Sequence, residues 1–355
     1  MAAGNPIKRL FDLYTSELSF EEIEKMIKKE SAAVYEFFKN DIPEPSPHHN
    51  KTRRGLIFVK SLFVAFLLKL SAARRVFYLS ALLIFIVGIL GPNTAYLVFS
   101  FLILNVLIAF ELADKLIVKD DISLAKKIQK SLMPEPPYKN EHFFISAFNE
   151  AAREVGGDYF DIVESAKDEK TFIIVGDISG KGTAAALYMM RVQTIIQFLI
   201  ENYSDPKKIV IELKKYFSKK LEKEYFLSLS IASIDKSGKI KYSNAGHLPL
   251  LHYKYKENVF VKVNQIGNGM FEKTLSEEKV KTETNDILCF YTDGITEAMN
   301  QSKVQFGQER LQNIIKENVD KPIEEIKDKI LQTITNFRGT AEVNDDISIV
   351  LLKAK

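Results

Sequence analysis

From Val76 to Phe110 the chain runs for 35 residues without one charged side chain. Near the middle of that run stands Gly91-Pro92-Asn93, which stops a helix and turns the chain, because proline lacks the amide a helix interior needs. The run therefore reads as two transmembrane helices, about residues 75–90 and 94–112, joined by a tight turn. Each is near the short end of the roughly 17–25 residues a bilayer span requires. Arg74 and Arg75 before the first and Lys115 after the second can snorkel to the interface and extend them. A hairpin buried in a soluble core is the competing reading.

Charge gives the orientation. Between Lys51 and Arg75 lie seven basic residues (Lys51, Arg53, Arg54, Lys60, Lys69, Arg74, Arg75) and no acid, while the whole chain carries only +3. The remainder is thus 3 − 7 = −4, so the basic character is local, and a nucleic-acid-binding function has little support. A basic block beside apolar sequence suits a bilayer surface. With Lys115 and Lys119 following the second span, positive-inside bias places both flanks in the cytoplasm of a multi-pass inner (cytoplasmic) membrane protein. The stretch 56–70 is also apolar, but Lys60 and Lys69 fall on opposite faces of a helix there, which leaves its relation to the membrane open.

Residues 1–50 read as short amphipathic helices, with a capping box at Ser19-Phe20-Glu21-Glu22, followed by a proline-rich linker that carries His48 and His49. The first 20 residues hold no apolar core of signal-peptide length. Residues 51–112 form the basic segment and the hairpin, and 113–140 a helical connector. Along that connector Val118, Ile122, Ala125, Ile128 and Leu132 make one stripe, interrupted by Lys115 and Gln129, as a homodimer through the connector would require only in part.

From 141 to 355 the texture is mixed α and β. Strand-like runs lie at 143–148, 172–175, 226–234, 239–243, 287–291 and 347–352, and helical patterns at 183–201, 206–224, 308–318 and 322–337. Strands arrive in clusters and not in βαβ alternation. The expected fold is α+β, with two packed antiparallel sheets flanked by helices. The single cysteine, Cys289, sits inside the apolar run 287–291, so a disulfide framework and a cysteine-rich zinc site are excluded.

Aspartates stand at the ends of these apolar runs. Asp158 closes "VGGD", Asp177 closes "FIIVGD" before a glycine-rich loop that opens a helix, Asp293 follows "ILCFYT", and Asp345-Asp346 precede "ISIVLL". Carboxylates brought together repel unless a cation neutralises them, and oxygen ligands without Cys or His select a hard ion. Taken singly each is ambiguous: Asp293-Gly294 by itself reads as a hairpin turn. "GDISGKGT" fails as a phosphate-binding P-loop, since its glycines enclose three residues instead of four and Gly182, not Ser or Thr, follows Lys181.

Together, "AKKIQKSLMP", "AREVGGDYFD", "GDISGKGTAAALYM", "NAGHLPLL", "LCFYTDGITEAMN", "FGQERL" and "NDDISIVLL" resemble the SpoIIE/RsbU-like branch of the PPM metal-dependent protein phosphatases, over about 120–355. That resemblance implies an αββα sandwich with two Mn²⁺ or Mg²⁺ ions. Asp177 would bridge them, the Ile178 carbonyl would add an oxygen, and Asp158 and Asp293 would complete the shell, with Asp345 matching the last family aspartate better than Asp346. The metals supply the nucleophile in this family, so no nucleophilic side chain is required. Arg153, five residues before Asp158, matches a phosphate-binding arginine, and His247 matches a recurrent family position. The implied activity is protein serine/threonine phosphatase, with a phosphorylated STAS-type antagonist of an anti-sigma factor as substrate in a partner-switching pathway. The alternative is a non-catalytic membrane-bound scaffold that uses the same fold to bind a phosphoprotein.

Overall fold

A computed structural model of the chain describes residues 51–165, 167–217, 225–263 and 277–355. The readings for residues 1–50, and for the end of the helical pattern at 206–224, lie outside them. The chain divides into two compact units, Met1–Leu116 and Ile117–Lys355.

In the first unit, helix α1 (Lys51–Lys69) ends where the Arg75 guanidinium donates to the carbonyls of Leu67, Leu68 and Leu70, at 2.9, 3.3 and 3.2 Å. These are orphan acceptors of a helix C-terminus, so a cation there both caps and opposes the dipole. Helix α2 (Ala72–Leu90) starts on Ser71, whose hydroxyl accepts from the Arg74 amide, and stops at Gly91. Helix α3 (Ala95–Leu132) follows. α2 and α3 meet through small residues: Gly88 lies against Leu97, and buried Ser100 donates to the Ala81 carbonyl at 2.8 Å. At the other end of this hairpin Arg74 bridges Glu111 (3.0 Å) and Asp114 (2.7 Å). The spans and connector that the sequence separates are thus drawn as α2 and one unbroken 38-residue helix. No proline or glycine interrupts it between Ala95 and Leu132. Both helices are long and apolar enough to cross a membrane, and between residues 76 and 110 their outward side chains are largely apolar, Leu90 and Ile108 among them.

The second unit is a four-layer sandwich. One sheet has the order β1 (Phe143–Glu150), β10 (Ile347–Ala354), β9 (Ile287–Tyr291), β6 (Leu251–Lys254), β7 (Val259–Lys262). The other has β2 (Tyr159–Ser165), β3 (Lys170–Ile178), β4 (Leu227–Ile234), β5 (Ile240–Ala245), β8 (Glu278–Val280). All pairings between these strands are antiparallel. Helices α4 (Thr183–Asn202) and α5 (Pro206–Phe217) cover the second sheet. The four-residue α6 (Asp293–Thr296) follows β9, and α7 (Gly307–Glu317) and α8 (Ile323–Arg338) cover the first sheet.

The strands are buried on both faces, which is why they read as continuous apolar runs. Along β3, Phe172 and Ile174 pack under the helices while Ile173 and Val175 face the other sheet. Along β9, Ile287, Cys289 and Tyr291 face α7 and α8 while Leu288 and Phe290 point between the sheets. Each such side chain contributes about 1.5–3 kcal/mol of burial. α4 is also apolar enough to cross a membrane, but Ala185, Met189, Val192, Ile196 and Ile200 on it are packed against the sheet. Its hydrophobicity belongs to this core.

Candidate metal centre

The antiparallel register brings the acidic motifs to one end of the sandwich. Tyr159 opens β2 opposite Gly176 near the end of β3, so Asp158 and Asp177 share an end of one sheet. Ile349 near the start of β10 pairs with Tyr291 at the end of β9, so Asp345, Asp346 and Asp293 share the matching end of the other. Short hydrogen bonds tie these ends together. Thr292 Oγ1 donates to Asp158 Oδ2 at 2.6 Å, and the Gly157 amide donates to Asp346 Oδ2 at 2.6 Å.

The two adjacent aspartates have different tasks. Asp346 accepts from the amides of Ala152 (2.7 Å), Gly157 (2.6 Å) and Asp158 (3.4 Å), so its oxygens are occupied in holding the glycine loop. Asp345 is more exposed, and its Oδ2 meets the Lys181 ammonium at 3.0 Å. Among the described residues Asp345 Oδ1 accepts only the Asp346 amide, at 3.0 Å, so Asp345 is the more accessible carboxylate and Asp346 the one held by the loop. Glycine is needed where this loop closes. A Cβ on Gly157 would lie 2.6 Å from the Ile178 carbonyl, and one on Gly294 would collide with the Asp346 carbonyl. Asp293-Gly294 is not a hairpin turn. It begins α6, because the next residues turn inward to bury Ile295 and the Glu297 amide closes on the Asp293 carbonyl at 2.7 Å.

Electrostatically the cluster is frustrated. Burial, then the charge of Asp177, drives the Asp158 carboxyl well above its usual range. Burial, then Asp293 and Asp345, pushes Asp177 up to about 7. Burial, then Asp345, also raises Asp293. Like charges held in a dry site ask for a cation. Among the described residues no three side chains of Asp, Glu, His or Cys converge closely enough to hold an ion alone. Mg²⁺ and Mn²⁺ suit such a site, since they bind through one or two carboxylates and retain water. The Lys181 ammonium on Asp345 shows that this carboxylate already accepts a positive charge. The residues fit a hard divalent ion.

Around the cluster, Arg153 is exposed, and its Nη1 lies 3.8 Å from where a Gly182 Cβ would stand, beside the N-terminus of α4. His247 is buried, contacts Ser228 Oγ through Nδ1 at 2.8 Å and the Tyr291 carbonyl through Nε2 at 3.1 Å, and is lowered by burial to about 4. It is a neutral crosslink between the sheets that fixes Ser228, opposite Asp177, and Tyr291, two residues before Asp293. Burial pushes the Cys289 thiol far up, so it is no nucleophile.

Two functional neighbours escape a reading of the sequence. Thr292 bonds to Asp158 and also accepts from the Ser348 amide at 2.9 Å. Gln129, a polar break in the connector stripe, is buried and clamps Gly156, donating to its carbonyl (2.7 Å) and accepting from its amide (3.2 Å). That polar break was the only sequence signal for it.

Residues 167–355 match the family model described as Stage II sporulation protein E (SpoIIE). Phosphoserine phosphatase RsbU of Bacillus subtilis is 24% identical over 244 residues, 67% of this chain and 71% of the relative. Phosphoserine phosphatase RsbP of the same organism is 28% identical over 249 residues, 68% of this chain and 59% of that protein, so less than two thirds of RsbP is matched. Among solved structures, the SiaA-PP2C domain of Pseudomonas aeruginosa superposes with a TM-score of 0.61 at 20% identity, over 68% of this chain and 98% of that one. The PP2C phosphatase domain of SpoIIE from Bacillus subtilis, solved with a fragment of its regulatory domain, gives 0.50 at 19% identity, over 61% of this chain and 64% of that one. These structural likenesses establish the two-sheet PP2C-like fold.

Proposed function

The chain belongs to the SpoIIE family of PPM-type serine/threonine phosphatases, and from that premise we propose that it is a membrane-anchored, metal-dependent enzyme that removes phosphate from serine or threonine of a small regulatory protein. The observation that carries the proposal is the register that brings Asp158 and Asp177 of one sheet and Asp293 and Asp345 of the other to the same end of the sandwich, where burial and neighbouring carboxylates raise Asp158, Asp177 and Asp293.

In this reading Asp177, Asp293 and Asp345 hold the divalent ions, the Ile178 carbonyl adds an oxygen, and Asp158 supports the shell through Thr292. When bound, two Mn²⁺ or Mg²⁺ ions supply an activated water and neutralise charge on the departing phosphate. The protein's own part is to orient and exclude. Arg153 and the N-terminus of α4 receive the phosphate oxygens, His247 keeps the strand ends in place, and Asp346 holds the glycine loop shut. The Cys289 thiol is buried and both His247 nitrogens are engaged, so neither of these two side chains serves as nucleophile or base.

The substrate is a phosphorylated STAS-type antagonist in a partner-switching pathway, as the resemblance to the SpoIIE/RsbU-like branch implies, and the RsbU and RsbP relatives are named phosphoserine phosphatases. α2 and the first half of α3 anchor the chain in the cytoplasmic membrane with both flanks inside, as the basic residues before α2 favour. The exposed stripe of Val118, Ile128 and Leu132 on α3 supports a homodimer through the connector. The Gln129 clamp links that helix to the metal loop. The test is hydrolysis of p-nitrophenyl phosphate and of a phosphorylated STAS protein by the purified chain with and without Mn²⁺. Metal-stimulated release from both supports the reading. Mn²⁺ binding without turnover of either replaces it with the scaffold.

A further inference from the structure

The glycine-rich loop between β3 and α4 carries one charged side chain, Lys181, and it is engaged with the aspartate cluster. Its ammonium meets Asp345 Oδ2 at 3.0 Å and donates to the neighbouring Asn344 carbonyl. Its charge reaches further. Burial raises both Asp177 and Asp293, and the Lys181 ammonium works against that rise at each of them. One lysine thus stands close to the three carboxylates assigned to the divalent ions. Three negative charges against one positive leave the site negative, so the lysine offsets the cluster only in part.

Its backbone is short and held at both ends. On one side the Ser179 amide donates to the Phe226 carbonyl at 2.9 Å, and the Ser179 hydroxyl accepts from the Phe226 amide at 2.8 Å. On the other, α4 starts at Thr183, and the Ala186 amide closes on the Gly182 carbonyl at 3.1 Å. Between these anchors Gly180 and Gly182 flank the lysine at φ 99° and 80°, a region glycine enters without steric cost. The pivot is fixed and the side chain is not. It is 40% exposed and lines a cavity of about 320 Å³ together with Asp345 and Glu297. Rotation of the side chain into that cavity takes the ammonium off Asp345.

A metal ion on Asp345 stands within a few ångströms of this ammonium, and two positive charges at that range repel. We infer that Lys181 is a built-in competitor for the ion held at Asp345: its ammonium occupies that carboxylate in the metal-free chain and withdraws when the ion binds. The lysine steadies the metal-free chain and weakens ion binding by the same amount, so it sets the metal concentration at which the enzyme turns on. The inference rests on the metal-dependent reading and adds the residue that tunes its affinity.

The experiment uses the full chain in nanodiscs. Bound Mn²⁺ is counted from the electron paramagnetic resonance of the free ion, and melting is followed by circular dichroism. Lys181→Gln should bind the weaker of its Mn²⁺ ions about fivefold more tightly, as removal of one half-exposed ion pair predicts. In EDTA the same variant should melt about 2 °C below the wild type, and in saturating Mn²⁺ level with it. That convergence separates competition from a merely structural role, which lowers both melting temperatures alike. Lys181→Arg, which keeps the charge, should stay within about twofold of the wild type in Mn²⁺ affinity. Unchanged or weaker Mn²⁺ binding by Lys181→Gln, beside a wild type that binds, overturns this inference alone. Equal tightening in Lys181→Arg does so too, as does an equal loss of melting temperature with and without Mn²⁺. A wild-type chain that binds no Mn²⁺ overturns the metal-dependent reading as well.

Discussion

Strand β9 carries an aspartate beyond each end, and the two live in opposite electrostatic settings. Before it, Asp286 is surrounded by donors: His252 Nε2 at 2.9 Å and the amides of Tyr255 and Glu283 at 2.9 and 3.0 Å. After it, Asp293 faces Asp345 and Glu297, and Asp177 faces Asp293 in turn. Burial alone does not mark a functional carboxylate. A buried aspartate with donors holds the fold together, whereas half-buried aspartates facing one another weaken it until something positive arrives.

That contrast is sharpest under mutation. Asp177→Asn or Asp293→Asn should lower Mn²⁺-dependent hydrolysis of p-nitrophenyl phosphate about a thousandfold or more, while raising the melting temperature of the metal-free chain. Asp286→Ala should do the reverse, costing about 3 kcal/mol of stability while residual folded enzyme keeps its kcat. If Asp286→Ala abolished turnover at full stability, the division between the two ends would be wrong.

The next effect is read from pH. Asp177 protonates at about 7 in the folded chain, against an ordinary value of 3.8. A folded carboxyl with a raised pKa binds its proton more tightly than the unfolded chain does, so stability is lost as pH climbs from about 4 to 7 and is level above. Metal-free protein should thus melt lower at pH 8 than at pH 5, as followed by circular dichroism in EDTA. Mn²⁺ should reverse the slope, and Asp177→Asn should flatten it.

Smaller changes come from groups outside the ring of carboxylates. Gln129→Leu removes both bonds to Gly156 and should cost about 1–3 kcal/mol. Calorimetric titration should show Mn²⁺ affinity weakened several-fold in that variant, and unchanged in Asp286→Ala. The least effect is expected from Arg74→Ala. Its partners Glu111 and Asp114 are half exposed, so melting of the chain in nanodiscs should shift by no more than about 1 kcal/mol.

Much of the sandwich is visible in the sequence, because strands buried on both faces leave unbroken apolar runs, as at 287–291 and 347–352. The strand Tyr159–Ser165 is missed because Asp161 and Glu164 disguise it. Asp161 is nevertheless buried, taking the Tyr159 hydroxyl at 2.9 Å and Gln197 Nε2 at 2.8 Å, and no local pattern announces partners 36 residues away. The short strands at Leu251–Lys254 and Val259–Lys262 offer too few residues for a period to show.

The sequence by itself determines the charge-free hairpin, the α+β class, and which aspartates sit at strand ends, because these follow from local composition and from the alternation that burial imposes. Only the tertiary structure decides how those aspartates divide their work. Asp345 and Asp346 are neighbours of identical chemistry, and what separates them is that amides of Ala152, Gly157 and Asp158, nearly 200 residues earlier, occupy the oxygens of one, while the other accepts its neighbour's amide and meets the Lys181 ammonium. Such an assignment is set by contacts between distant segments, and folding creates those contacts.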